Sequence, residues 1–186
     1  MTAYSFNAET HVYKIDSRIV PSVTQVLAAV LPGAIWQADE YYLGRGSAVH
    51  AAAAFIARGK SFSVDPQIAG QVAACRMWFA EWRPDVLEVE KTMFSSAYMF
   101  AGTADLVCQI DKKVVILDWK ASLTEVSRIQ LGGYSVLWPA ATHGIVVALQ
   151  DDGRYKSTGL VKLAQYRNEF LADLSNYNQR KRLGLL

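Results

Sequence analysis

Val114-Val115-Ile116-Leu117-Asp118-Trp119-Lys120 is an apolar run that ends in two charges. A strand this uniform is expected to be buried on both faces. Side chains alternate along a strand, so Asp118 and Lys120 project from the same face. An ion pair at a strand end is the purely structural account; a reactive site is the other. Gly102-Thr103-Ala104-Asp105 lies earlier in the chain, across the polar turn Asp111-Lys112-Lys113. A hairpin folded at that turn brings Asp105 beside Asp118 on neighbouring strands. Two carboxylates so placed repel unless a proton or cation lies between them, and oxygen ligands favour a hard metal such as Mg²⁺ or Mn²⁺. Lys120 beside such a pair can hold water or offset charge growing on a phosphate. These are the parts with which a phosphodiester is hydrolysed.

Further residues have the right types to join this pair. Glu88 and Glu90 share a face in Leu87-Glu88-Val89-Glu90-Lys91, and Glu90 is preferred, with Glu88 in reserve. His50 follows Gly44-Arg45-Gly46-Ser47-Ala48-Val49 and leads into an alanine run. A lone histidine on such a helix is usually structural, but its small neighbours admit a close approach, and Arg45 adds a phosphate-seeking charge. Gln130 and Tyr134 stand four apart and share a helix face. Between them, Gly132 and Gly133 each cost about 1 kcal/mol relative to alanine in a helix, which suggests either close packing on the sheet or a ligand nearby.

The elements that must position these residues read as α/β, with helices before Pro84 and strands after it. A small N-terminal hairpin turns near Asp16-Ser17, and Ser22 with Gln25 forms a capping box for a helix that Pro32-Gly33 ends. Helices are expected over 34–58, interrupted near Gly44-Arg45-Gly46, and over 65–82. Strands follow at 86–95, 97–110 and 113–119, then a helix at 124–138, a buried strand at 143–149, a turn at 151–154 into a short strand, and an amphipathic helix over 161–182 with Phe170, Leu171, Leu174 and Tyr177 on one face.

The 186 residues suit one domain, and with 52% hydrophobic residues a substantial core is affordable. A net charge of +2 neither announces nor excludes a nucleic-acid partner. Cys75 and Cys108 form no C-x-x-C pair, so they supply neither an iron–sulfur cluster nor a thiolate zinc site, and both read as buried free thiols. The first residues lack a secretory pattern, and no apolar run reaches the ~18 residues of a membrane span. A soluble cytoplasmic protein is the expectation. No Ser/His/Asp arrangement or phosphate-cradling Gly-rich loop suggests a small-molecule hydrolase.

Taken in order, these residues resemble the RecB-type branch of the PD-(D/E)XK nuclease superfamily, especially its short phage-type exonucleases and the mitochondrial genome maintenance exonuclease. The shared pattern is His50, Glu90, Gly102 to Asp105, Asp118 to Lys120, and Gln130 with Tyr134; His11-Val12-Tyr13 and Pro21-Ser22-Val23-Thr24 also resemble the phage members. The resemblance covers about residues 11–150. It implies a restriction-endonuclease-like core, a mixed central sheet flanked by helices, within a single nuclease domain over 1–186. Residues 1–84 would form a mainly helical entrance, and 85–186 the catalytic sheet and C-terminal helix.

It further implies that Asp105, Asp118, the Trp119 carbonyl and His50 bind Mg²⁺ or Mn²⁺. Glu90 would assist metal or water positioning, Lys120 would be the catalytic lysine, and Gln130 and Tyr134 would help arrange the site and the DNA strand; Arg45 is expected to bind substrate on the strength of its charge alone. The implied activity is a DNA exonuclease of low sequence specificity that acts from free ends, in a phage-infected or prophage-carrying cell. A structure-selective endonuclease or junction resolvase, or an inactive DNA-binding module, are the alternatives on the same fold. Ala104 replaces the superfamily's namesake proline, and the four cysteines of the iron–sulfur members are missing.

Overall fold

A computed structural model describes residues 2–31 and 40–186. The chain opens with three antiparallel strands, β1 (Tyr4–Asn7), β2 (Val12–Ile15) and β3 (Arg18–Val20), rather than a single hairpin. Ile15 pairs with Arg18 across Asp16 and Ser17, both at positive φ. That is the type I′ geometry whose twist matches a two-residue hairpin. Helix α1 (Val23–Val30) starts with both bonds of the expected capping box: Gln25 N donates to Ser22 Oγ at 3.1 Å, and Ser22 N donates to Gln25 Oε1 at 2.8 Å. The expected stop at Pro32-Gly33 and the helix start near Ala34 lie outside the described residues.

Helix α2 (Glu40–Ala57) runs through Gly44 and Gly46 without the expected interruption. A glycine weakens a helix by about 1 kcal/mol but does not break it when the alanine-rich continuation favours helix. Its end is sharply defined: Gly59 takes φ +63, Lys60 N donates to Phe55 O and Gly59 N to Ile56 O, both at 2.9 Å. This is a Schellman closure. A short 3-10 turn at Pro66–Ile68, capped by Asp65, leads into α3 (Ala69–Trp82).

Strands β4 (Asp85–Ser95), β5 (Phe100–Ile110) and β6 (Lys113–Lys120) form an antiparallel meander. Asp111 and Lys112, both at positive φ, make another two-residue turn between Ile110 and Lys113. Helix α4 (Glu125–Leu137), capped by Thr124, then carries the chain back so that β7 (His143–Leu149) lies parallel to β6. A parallel neighbour requires such a crossover. Strand β8 (Tyr155–Ser157) and the two-residue β9 (Val161–Lys162) both pair with β7, completing a mixed six-stranded sheet. Helix α5 therefore begins at Ala164 rather than near Val161 and ends at Arg182.

The sheet separates two apolar cores. Ile116 and Phe100 pack with Val23, Leu131 and Phe170 on the α1, α4 and α5 side. Leu117 and Trp119 pack with Trp78 and Ala53 on the α2 and α3 side. The glycine pair in α4 serves close helix contacts, not packing on the sheet. A Cβ at Gly132 would lie 2.2 Å from the Tyr166 carbonyl oxygen of α5, and one at Gly133 would lie 2.7 Å from a Val23 methyl of α1. Among the described residues, no helix is long and apolar enough to cross a membrane.

Candidate active site

Strand alternation places the two charges of β6. Val115, Leu117 and Trp119 enter one core and Ile116 the other, so Asp118 and Lys120 continue the Ile116 face at the strand's end. The β5–β6 ladder sets Leu106 opposite Leu117, and one step further along this register Asp105 faces Asp118. Both carboxylates are buried, Asp118 almost completely. The Asp105 carboxylate is held on two sides. Its Oδ2 accepts from the Trp119 backbone N–H at 2.8 Å, and its Oδ1 lies 3.2 Å from Nδ1 of His50 on α2. Thus β5, β6 and α2 meet at one side chain.

Glu90 completes this corner from β4. Ligand atoms of His50, Glu90 and Asp105 all lie within 4.8 Å of one another. Glu90 adopts φ +54 inside a strand whose flanking pairs, Val89 with Leu106 and Lys91 with Ala104, are regular. A left-handed glutamate in mid-strand is a local strain that the neighbouring pairs must hold in place. Glu88, held in reserve for Glu90, pairs with Lys91 at 2.8 Å and is not among the three converging ligand residues. Asp118 lies outside the trio, with its Oδ2 2.6 Å from Nζ of Lys120. The contact lacks hydrogen-bond geometry, and among the described residues this buried oxygen has no hydrogen-bond donor.

The electrostatics follow from burial and crowding. The Asp105 charge lifts His50 to about 9, against the opposing effect of burial. Burial pushes Asp105 upward, but His50, Lys120 and the Trp119 N–H outweigh it and hold the carboxyl below its ordinary value. Burial raises Asp118 to about 6 despite Lys120 beside it. Glu90, the most exposed of the trio, rises to about 7 through partial desolvation and the Asp105 charge. Burial disfavours the Lys120 cation, yet Asp118 and Asp105 more than compensate, so its pKa is raised and it stays protonated. Raised and lowered carboxyls side by side are what a cluster short of cations produces.

All of these groups line one cavity of about 880 Å³. Gln130 and Tyr134 reach it from α4, and Gln130 Nε2 donates to Tyr134 Oη at 2.7 Å and to Thr24 Oγ1 at 3.4 Å. Gly102 makes room for that tyrosine: a Cβ there would lie 2.9 Å from its ring. Arg45 does not line the cavity. It pairs with Asp151 at 2.7 Å and donates to the Gln67 carbonyl, so the turn after β7 claims it. Residues given no role at the site from the sequence line the cavity as well. Tyr13 Oη and Thr103 Oγ1 share a hydrogen bond at 2.9 Å, and Arg58 stands at the end of α2. The alternation around Tyr13 signalled a strand but not what its hydroxyl would meet.

The donor set is suited to a divalent cation. Three ligand-bearing side chains already converge, and the buried Asp118 carboxylate lines the same cavity beside them. Such a mixture of oxygens and one imidazole matches a hard or borderline ion.

The fold and site are those of a mixed sheet carrying a carboxylate–histidine–lysine centre where the end of β6 meets the middle of β5. No family model matches the chain, and no curated protein matches its sequence. Among solved structures, the chain is similar to an alkaline exonuclease, LHK-Exo, from Laribacter hongkongensis, in its complex with dAMP. Identity is 14%, the match covers 90% of this chain and 95% of that one, and the TM-score is 0.45. It is also similar to a phage related exonuclease from Haemophilus somnus 129PT, with 12% identity, coverage of 90% and 96%, and a TM-score of 0.44.

Proposed function

We propose that this protein is a metal-dependent DNA nuclease that hydrolyses phosphodiester bonds from strand ends with low sequence specificity. The observation that carries the reading is the convergence of His50, Glu90 and Asp105 beside the Asp118–Lys120 pair in one cavity. A structural ion pair would need two of these residues, not five. Asp105, Asp118, His50, Glu90 and the Trp119 carbonyl are the groups that would hold Mg²⁺ or Mn²⁺. Such an ion, when bound, supplies charge to the phosphate and makes water a stronger nucleophile.

The chain's own residues have separable tasks. Asp105, fixed by the Trp119 N–H, keeps a charged oxygen aimed at His50 and Glu90. Lys120 keeps its proton and offers a cation to a water or to a phosphate oxygen. Glu90 can exchange a proton near neutral pH, which suits a group that assists water. Gln130 and Tyr134 brace one wall through their mutual hydrogen bond. Few side chains in a cavity of this size can read base edges, so low sequence specificity follows.

The test is cleavage of linear and covalently closed single- and double-stranded DNA with Mg²⁺, Mn²⁺ or EDTA. The reading expects digestion of linear strands only with metal, and resistance of closed circles. Circles cut as fast as linear strands would replace it with the endonuclease reading; no cleavage of any substrate would reject it.

A further inference from the structure

We propose that Arg58 is a phosphate-binding residue of this cavity, holding the phosphate next to the one presented to the carboxylates. The proposal rests on the nuclease reading above. Gly46, His50, Ala54 and Arg58 all line the cavity, each four residues after the last. Residues at this spacing lie along one helix face. This row carries small side chains on both sides of His50 and a guanidinium at its end. Small residues leave room for a chain to lie along α2, and the cation stands where that chain would continue. His50 and Arg58 are eight residues apart, an axial offset of about 12 Å between backbones.

The guanidinium is turned back toward the site, since Arg58 Nη2 donates to the Val89 carbonyl, one residue before Glu90, at 3.1 Å. The Schellman closure at Gly59 fixes where α2 stops and hence where Arg58 stands.

Charge accounting singles out this residue. Among the described cavity residues, Lys120 is paired with Asp118 and His50 with Asp105. Among the described residues Arg58 has no carboxylate within ion-pair distance, although its charge is felt at Glu90. One of its donors is given to the Val89 carbonyl, and a guanidinium carries further donors in a planar fork suited to bidentate contact with a phosphate. A polyanionic strand approaching Glu90, Asp105 and Asp118 needs such a counter-charge at the cavity wall. Arg45, on the same helix, cannot supply it because Asp151 holds it elsewhere.

The test is binding of a fluorescent dT oligonucleotide over a range of salt concentrations, in an Asp118→Asn background that does not digest the probe. Adding Arg58→Ala should weaken binding roughly tenfold and flatten the slope of log K against log salt by about 0.7, the loss of one phosphate contact on a single strand. Arg58→Lys should retain the slope and lose part of the affinity. A purely helix-capping role would lower the melting temperature and leave the slope unchanged. An unchanged slope therefore overturns the proposal even if affinity falls. Failure of the Asp118→Asn protein itself to bind DNA would overturn the nuclease reading, and this inference with it.

Discussion

Nζ of Lys120 lies 2.6 Å from Oδ2 of Asp118, two positions earlier on β6, and its charge opposes the burial that raises this carboxyl. The two charges are matched to each other. Replacing Lys120 by methionine removes the cation while retaining much of its bulk, and leaves a buried carboxylate alone. Cleavage should fall by about 10² or more. The melting temperature without metal should also fall, because an unpaired buried charge is costly. Mn²⁺ should restore a larger share of that temperature in Lys120→Met than in the wild type. Thermal scans with and without Mn²⁺ check this; equal metal-induced shifts would separate Lys120 from the carboxylate cluster.

His50 approaches Asp105 from α2, and as a metal ligand its imidazole would distinguish between metals. Nitrogen ligands suit Mn²⁺ better than Mg²⁺, so cleavage should be faster with Mn²⁺. His50→Ala should raise the Mn²⁺ concentration needed for half-maximal rate. Lost thermal stability with an unchanged Mn²⁺ titration would make His50 a structural partner of Asp105 only.

The metal-free protein should lose stability as pH rises from about 5 to about 9. Glu90 and Asp118 are raised to about 7 and about 6 in the fold. Each keeps its proton where the unfolded chain has released it, so stability declines as pH climbs from the unfolded value through the folded one. His50, raised to about 9, stabilises fully below its ordinary value, and that contribution is lost as pH rises through 9. Asp105 is lowered, so its contribution is lost only in acid. Melting temperatures in EDTA should therefore slope downward across this window, and Mn²⁺ should flatten the slope by taking the place of the protons. A rising curve in EDTA would contradict the charge arrangement.

Glu90, one of the proposed metal-holding residues, has an unfavourable backbone, φ +54 between two regular strand pairs. Glycine tolerates that conformation, whereas alanine carries a penalty of about 1 kcal/mol. Glu90→Gly should accordingly be more stable than Glu90→Ala by roughly that amount, with cleavage strongly reduced in both. Urea denaturation in EDTA measures the difference; equal stabilities would show that the left-handed turn carries no strain.

The legible parts of the site were the local ones. Period two alone puts Asp118 and Lys120 on one face, and a two-residue turn at Asp111-Lys112 brings β5 alongside β6. The capping box at Ser22 and Gln25 was legible for the same reason, since both partners lie within four residues. Arg45 and Arg58 show where that reasoning stops. They occupy one helix, and the choice between them depends on how α2 sits against the sheet and on Asp151, more than a hundred residues away. Gly132 and Gly133 signalled close packing, but the elements they admit, α5 and α1, are far off in sequence. The left-handed backbone of Glu90 is likewise a feature that strand alternation does not encode.

The most direct measurement is the rate of DNA digestion by the wild type and by Asp118→Asn, each with Mn²⁺ and with EDTA, alongside binding of the same DNA. This substitution nearly preserves shape while removing one charge from the buried cluster. The account predicts Mn²⁺-dependent digestion by the wild type that EDTA abolishes. It predicts no digestion by Asp118→Asn under either condition, with DNA binding retained or tightened because the carboxylate no longer repels phosphate. Digestion by Asp118→Asn at the wild-type rate, or wild-type digestion that persists in EDTA, would contradict it.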